Sequence, residues 1–144
     1  MKPYLAAFLL SIAVTNLSAN PIQVKLTGNW KITEVLDNQE TVSLSDEEAK
    51  SLIGTKMIVT ADRIQFGGAD CRVPQYKTEK HKMYAYFVKE FNFEPKRLPL
   101  PDAVTEIQVT CQDPVGIDFI YVRDQRQIVL YWKGFFLNAV RQAH

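Results

Sequence analysis

The sequence predicts a mostly β protein, an antiparallel barrel or sandwich of seven or eight strands with one or two short helices. Three observations support this fold class: short β-rich runs, turn-forming residues between them at close spacing, and alternation of apolar and polar side chains in the first run. Connections this short join only antiparallel neighbours, because a parallel crossover needs a dozen or more residues. The chain contains no internal repeat and no low-complexity tract.

The N-terminal segment predicts export. Lys2 is followed by an apolar stretch that begins at Tyr4 and ends in small polar residues. This stretch is too short to cross a bilayer, which needs about 20 apolar residues, and it has the order of a secretory signal peptide. We place cleavage after Ala19, so that residues 1–19 are the signal peptide and residues 20–144 form a single disulfide-stapled domain. The expected location is periplasmic or secreted, with no membrane span after processing.

The charge distribution argues against nucleic acid as a partner. Of the 17 basic residues only Lys2 lies in the predicted leader, which leaves 16 basic against 16 acidic residues. Nucleic-acid binding depends on clustered Lys and Arg side chains that neutralise phosphates. The basic run from Lys77 to Lys82 contains Glu79, so a solvated loop or strand face is favoured over an anion-binding patch.

The two cysteines, Cys71 and Cys111, both lie in the predicted exported part, where the environment is oxidising. We predict a disulfide between them, which would close a loop of about 40 residues and stabilise the fold by roughly 4 kcal/mol. A metal pair or a reactive thiol is the alternative, but neither has neighbouring ligands, because the histidines are only His81 and His144. We therefore expect no metal site and no cofactor.

The exported part opens with a strand and a helix. Gly28–Leu36 alternates apolar and polar residues around Trp30, as a half-buried strand requires. Ser45 followed by Glu48 has the capping-box spacing of a helix start, and Gly54 ends the segment. The sequence therefore predicts a short surface helix after the first strand.

The middle of the chain mixes a hairpin with less regular segments. Residues 56–60 and 63–66 are β-rich and only two residues apart, which predicts a tight hairpin. Residues 71–76 contain Pro74 and are expected to be irregular or an edge strand, because proline cannot donate to a ladder. Residues 83–93 fit both strand and helix spacing, and we favour the helix.

The last third predicts a four-stranded meander after a proline-rich extended loop. Its strands are runs rich in branched and aromatic residues, at 104–111, 117–122, 127–132 and 135–141. Their connections carry Asp-Pro, Asp-Gln and Lys-Gly pairs, which form short turns between antiparallel neighbours.

Two positions resemble the lipocalin-like, or calycin, group of small β-barrels. Gly28-Asn29-Trp30 at the head of the first strand is similar to the group's Gly-x-Trp signature, and Arg141 is similar to the basic residue that packs across that tryptophan. A guanidinium stacked on an indole is worth about 1–2 kcal/mol when desolvated. The resemblance implies an antiparallel seven- or eight-stranded barrel with Trp30 and Arg141 packed at one end. The chain lacks the group's middle Thr-Asp-Tyr-like motif and is short for it, so a hollow and a filled barrel both remain open.

Aromatic side chains are concentrated near the C-terminus. Six fall within 18 residues: Phe119, Tyr121, Tyr131, Trp132, Phe135 and Phe136. Strand alternation distributes them over both faces of the sheet. The first five, together with Tyr76, are our candidate ligand or partner contacts, and an ordinary core is the alternative interpretation.

The sequence predicts no catalytic residue. His81 lies in a Lys-rich segment, where a solvated surface histidine is favoured over a general base. No phosphate-binding glycine loop, zinc-protease motif or calcium loop occurs. The expected function is an exported non-enzymatic binding protein for a small apolar or amphipathic ligand. The alternative is a periplasmic inhibitor or immunity-type protein that blocks a partner enzyme with a loop at Gly67–Tyr76 or Glu94–Asp102.

Overall fold

The computed structural model describes residues 13–14 and 25–143. Apart from residues 13–14, the predicted signal peptide and its cleavage site after Ala19 lie outside the described residues. The described elements are nine strands, β1 Gly28–Asn38, β2 Lys56–Thr60, β3 Arg63–Phe66, β4 Ala69–Arg72, β5 Gln75–Lys82, β6 Ala103–Thr110, β7 Ile117–Val122, β8 Gln127–Trp132 and β9 Phe135–Arg141, and two short helices, α1 Asp46–Lys50 and α2 Met83–Phe91.

All nine strands belong to one antiparallel sheet, which confirms the mostly β prediction. The strand order is β4-β3-β2-β1-β9-β8-β7-β6-β5, so the first and last strands pair and join two meanders. In that pairing Trp30 lies opposite Arg141 and Asn38 lies opposite Phe135. The predicted hairpin of β2 and β3 and the four-stranded meander β6–β9 are both confirmed.

The number of strands is nine rather than the seven or eight predicted, because the chain resumes β structure on both sides of Pro74. Val73 adopts a φ of 51°, which redirects the backbone between β4 and β5. The strand β5 carries Lys, Thr, Glu and His side chains, and its burial alternates only from Glu79 to Lys82, while the partly buried Tyr76 lies on the opposite face from Glu79 and His81. A strand without an apolar face gives little periodic signal in the sequence.

One face of the sheet encloses the main core, and the sheet curls around it. Met57 on β2 and Ile64 on β3 belong to the same buried cluster as Ile107 on β6 and Ile120 on β7, although these strand pairs are far apart in the sheet order. The sheet is an open half-barrel with β4 and β5 as its edges, rather than the closed barrel that the resemblance implies. β4 and β5 do not pair with each other, although only Val73 and Pro74 separate them in the sequence.

A disulfide joins the two sides of this open half-barrel, as the sequence predicts. Cys71 lies on β4 and Cys111 follows β6, and their Cα atoms are 5.6 Å apart. The bond links the edge strand β4 to the strand that pairs with the other edge, β5. The disulfide therefore links the two sides of the half-barrel where no strand ladder joins β4 to β5.

The opposite face of β6–β9 is covered by a second core under α2 and the segment that follows it. Its buried members are Phe87, Phe93, Leu98, Leu100, Val104, Tyr121, Val129 and Phe136. Neighbouring strand residues point to different cores: Ile120 belongs to the main core and Tyr121 to the second. The C-terminal strands are thus buried on both faces, which explains their dense aromatic content.

Both helices confirm local signals in the sequence. Ser45 caps α1 through a full capping box with Glu48, in which each residue's side chain accepts the other's backbone N–H. The ambiguous segment 83–93 forms a helix over Met83–Phe91 and ends at Asn92, which adopts a left-handed φ of 48°. Because α2 follows β5 without a loop, its position is fixed relative to the last residues of that strand.

Trp30 and Arg141 lie together at one end of the half-barrel. The Arg141 guanidinium carbon is 4.2 Å from the centroid of the Trp30 ring, and Trp30 itself is buried. The same guanidinium donates to the carbonyls of Lys25 and Thr27, and the indole N–H donates to the Leu26 carbonyl at 2.8 Å. Arg141 therefore ties residues 25–27 across this end of the sheet.

Candidate functional site

A cluster of polar side chains lies on the outer face of β5 and β6, beside α2. Strand alternation brings Lys77, Glu79 and His81 to one face of β5. The strand register places Glu79 directly opposite Glu106 on β6. Directly opposed side chains have Cβ atoms about 5 Å apart, so two carboxylates on neighbouring strands converge here.

His81 is the centre of this cluster. Its Nε2 atom lies 3.6 Å from Glu79 Oε2 and 3.6 Å from Glu106 Oε1. Both separations are longer than a hydrogen bond, and Nε2 is buried without a hydrogen-bond partner. The His81 side chain is only 21% exposed, so the sequence-based expectation of a solvated surface histidine is wrong. The reason is α2, whose first turns cover this end of β5.

Glu106 is the buried carboxylate of the cluster, with 2% of the residue exposed. Its Oε2 atom accepts a hydrogen bond from the Tyr86 hydroxyl, which lies 3.0 Å from the Tyr121 hydroxyl. Burial raises the pKa of Glu106, and the nearby His81 opposes that rise. Burial also raises the pKa of Tyr121, so this hydroxyl stays protonated and available as a donor.

Glu79 differs from Glu106 in its surroundings, although the two carboxylates are neighbours. The Lys77 ammonium lies 2.7 Å from Glu79 Oε1, and this hydrogen bond lowers the pKa of Glu79. The Glu79 side chain is 39% exposed. Glu79 is therefore a carboxylate that remains ionised in neutral solution, whereas Glu106 is held back from ionisation by its burial.

Tyr86 on α2 orients the histidine ring as well as the buried carboxylate. The rings of His81 and Tyr86 are stacked, with centroids 4.0 Å apart and an angle of 15° between their planes. Tyr86 in turn packs edge-on against Phe87 and Phe91 on the same helix. The second core thus holds one tyrosine against two members of the polar cluster.

The cluster forms part of a groove of about 680 Å³ between β5, β6 and α2, which we call the β5–α2 groove. Its apolar side includes Phe91 from α2 and Phe119 from β7, while Lys82 and Lys89 contribute positive charge. The full lining is Lys77, Glu79, His81, Lys82, Ala85, Tyr86, Lys89, Glu90, Phe91, Glu106, Gln108 and Phe119. The groove therefore combines aromatic surface with a partly buried polar cluster.

The structure places only two of the six candidate contact residues at this groove. Phe119 lines it, and Tyr121 lies beneath it in contact with Tyr86. Tyr131 packs in the second core and donates to Gln39 at 2.7 Å, while Phe135 is fully buried in the main core. Two more candidates, Tyr76 and Trp132, pack against the main core while remaining partly exposed.

Four members of the site are not among the contact residues predicted from the sequence: Glu79, His81, Tyr86 and Glu106. The spacing of Glu79 and His81 shows that they share a strand face once β5 is recognised. Their approach to Glu106 depends on the register of β5 against β6, which the sequence alone does not specify. The tyrosine reaches them only because α2 follows β5 directly.

Comparisons with protein-family models, with curated proteins and with solved structures find no match for this chain. The protein is described by its own structure: it is an open antiparallel half-barrel, stapled by a disulfide, with a polar groove on its outer face. The disulfide indicates an oxidising environment outside the cytoplasm. Among the described residues, no helix is both long and apolar enough to cross a membrane.

Tyr76 leads to a prediction about stability and alkaline pH. Its hydroxyl is buried without a hydrogen-bond partner, and burial raises its pKa from 10.0 to about 12. Replacing Tyr76 by Phe is expected to raise the free energy of unfolding at neutral pH by about 1 kcal/mol, because an unpaired buried hydroxyl costs about 1–3 kcal/mol. Urea denaturation of both proteins measures this difference.

The pH dependence follows from the same shift. The unfolded tyrosine loses its proton at about pH 10, whereas the folded one keeps it until about pH 12, so the wild type loses stability across this window. The advantage of Tyr76→Phe should therefore be larger at pH 11 than at pH 7. Tyr84→Phe is the control, since Tyr84 is 57% exposed. Equal stability changes for the two variants would show that the Tyr76 hydroxyl is not buried without a partner.

Proposed function

We propose that this protein is a non-enzymatic binding protein that acts in the periplasm or after secretion, once a signal peptide has been cleaved after Ala19. Its ligand is a small amphipathic molecule held in the β5–α2 groove. The observation that carries the proposal is the polar cluster of Glu79, His81 and Glu106, which lines a groove whose other side includes Phe91 and Phe119. Such a groove offers apolar contact and a polar anchor to the same ligand.

The outer groove is favoured over the barrel interior because side chains occupy the concave face. The main core there includes Trp30, Ile32, Met57, Phe135 and Leu137, each at most 1% exposed. A calycin-like relationship, which the packing of Arg141 on Trp30 supports, would then combine a filled half-barrel with a ligand site outside it.

Binding is favoured over catalysis by the side chains of the groove. None of its described lining residues is a serine, threonine or cysteine, which are the usual nucleophiles of covalent catalysis. The hydroxyl of Tyr86, which stacks on His81, donates to Glu106 and lies within hydrogen-bond distance of the Tyr121 hydroxyl. The cluster is suited to accept a polar group of a ligand and hold it.

The proposal predicts that an anionic amphipathic dye binds in the groove. We expect 1-anilinonaphthalene-8-sulfonate to bind the native protein at one saturable site, and Phe119→Ser to weaken this binding at least ten-fold, because apolar contact with one aromatic side chain is worth roughly 1.5–3 kcal/mol. A fluorescence titration at neutral pH measures the affinity, with circular dichroism to check folding.

Val73→Ser provides the matched control for this titration. Val73 is 73% exposed and does not line the groove. Its replacement should leave the dye affinity unchanged. Identical curves for wild type, Phe119→Ser and Val73→Ser would show that the dye binds elsewhere and would argue against the groove as the ligand site.

A second candidate function is inhibition of a partner enzyme. The segment Gly67–Tyr76 does not suit it, because most of this segment is built into β4 and the start of β5. The segment Glu94–Asp102 is anchored by the buried Leu98 and Leu100, and a tethered loop loses little entropy on binding. Native mass spectrometry of protein purified from its own compartment distinguishes the two functions, since it detects a retained small molecule or a stoichiometric protein partner.

A further inference from the structure

The cluster of Glu79, His81 and Glu106 has the composition of a metal site. One donor atom from each residue lies within 4.8 Å of the other two. The set contains one imidazole nitrogen and two carboxylate groups, a combination that binds zinc in proteins. An imidazole ligand favours a first-row transition metal over magnesium or calcium, which prefer all-oxygen ligand sets.

The spacing of the donor atoms agrees with a shared metal ion better than with direct hydrogen bonds. Two nitrogen or oxygen ligands about 2.1 Å from a tetrahedral zinc ion are about 3.4 Å from each other. Both His81 Nε2 to carboxylate distances are 3.6 Å. A nitrogen–oxygen hydrogen bond would instead bring these atoms to about 2.7–3.2 Å. The unpartnered Nε2 is thus placed like one ligand among three.

Each carboxylate directs one oxygen to the histidine and uses the other for a supporting hydrogen bond. Glu79 Oε1 accepts from Lys77, and its Oε2 faces His81. Glu106 Oε2 accepts from Tyr86, and its Oε1 faces His81. Outer hydrogen bonds of this kind orient ligands in metal sites, and the stacking of Tyr86 on His81 fixes the imidazole ring as well.

We propose that Glu79, His81 and Glu106 bind one zinc ion, with a fourth coordination position open to the β5–α2 groove. Three protein ligands leave such a position for water or for a donor atom of a bound molecule. The metal site goes beyond the proposed function and does not depend on it. Where both hold, a ligand with an anionic or chelating head group fills the fourth position while its apolar part contacts Phe91 and Phe119.

The test is isothermal titration calorimetry of the disulfide-bonded, tag-free protein with zinc chloride at pH 7.5, after dialysis against EDTA and then metal-free buffer. We expect one zinc ion per chain. His81→Ala should abolish this binding, and Tyr86→Phe should weaken it about ten-fold, the usual effect of removing an outer hydrogen bond from a ligand.

Two further variants control the titration. Glu34→Gln removes an exposed carboxylate of β1 that lies outside both the groove and the cluster, and should leave zinc affinity unchanged. His144→Ala removes the other histidine of the exported part and should likewise have no effect. The zinc site would be refuted if the wild type did not bind zinc stoichiometrically, or if the wild type and His81→Ala bound it equally. His81 and the two carboxylates would then be in contact without binding a metal ion.

X-ray absorption of the zinc-loaded wild type keeps the proposal testable if His81→Ala does not fold. The expected first shell contains nitrogen and oxygen at about 2.0–2.2 Å, with an imidazole contribution and no sulfur. A shell without imidazole would contradict the site. Repeating the dye titration with and without zinc separates the proposals: zinc binding without dye binding refutes the ligand function alone, and dye binding without zinc refutes the metal site alone.

Discussion

Replacing Cys71 and Cys111 together by serine is expected to lower the free energy of unfolding by about 4 kcal/mol. The bond spans 40 residues of sequence, so its loss restores a large loop entropy to the unfolded chain. The structure adds a native-state reason for a large effect, because the bond lies where the sheet is open and no ladder joins β4 to β5. Urea denaturation of the oxidised wild type and the double variant measures the difference.

The control for this experiment is the wild type in a reducing agent, which should match the double variant. Gln75→Ala, near the same corner but exposed, should change the free energy of unfolding by no more than about 0.5 kcal/mol. A loss of less than about 1 kcal/mol in the double variant would contradict the account, since it would mean that the half-barrel holds its edges together without the disulfide.

Replacing Phe87 by Ala is expected to lower the free energy of unfolding by about 3–5 kcal/mol, the usual range for truncating a buried phenylalanine. Phe87 is fully buried, and its ring contacts those of Tyr86, Phe91, Phe93, Tyr121 and Phe136. It is the main side chain by which α2 is held to the sheet. Urea denaturation measures the stability change.

Phe87→Ala should also weaken dye binding in the β5–α2 groove, because α2 supplies Tyr86 and Phe91 to the groove. We expect affinity for the anionic dye to fall with stability, under conditions where the variant is still folded. Val88→Ala, at the neighbouring and 39% exposed position on α2, is the matched control and should leave both properties nearly unchanged. Equal effects of the two substitutions would show that α2 is not anchored as described.

Much of the fold could be predicted because its signals are local. The alternation around Trp30, the two-residue spacing between β2 and β3, and the capping box at Ser45 each depend on residues close in sequence. The disulfide could be predicted because there are only two cysteines and both lie beyond the predicted leader. The meander β6–β9 follows from its β-rich composition and short turns.

The rest depends on contacts that are distant in sequence. The strand β5 has little apolar periodicity, and Pro74 predicts an irregular segment or an edge strand, whereas the structure has two edge strands with a turn between them. Sheet closure could not be decided from strand number, because it depends on whether β4 and β5 pair. The resemblance to calycins correctly brought Trp30 and Arg141 together but implied a closed barrel that the structure does not have.

The candidate site was missed for the same physical reason. The lysines around His81 in the sequence suggested a solvated histidine, whereas the side chains that surround it in the fold come from β6 and α2. The charges of residues adjacent to His81 in the sequence do not predict which side chains of other strands and helices surround it. A pattern of Glu and His at alternate positions on a polar strand is the signal that could have indicated a shared face.

The most direct test of the proposed zinc site in the β5–α2 groove is a crystal structure of the oxidised protein grown with zinc, with anomalous data collected at the zinc edge. The proposed zinc site predicts one strong anomalous peak about 2.1 Å from His81 Nε2 and bonded to carboxylate oxygens of Glu79 and Glu106. It would be contradicted by an empty cluster in which Nε2 donates directly to a carboxylate at about 3 Å, with the zinc bound elsewhere.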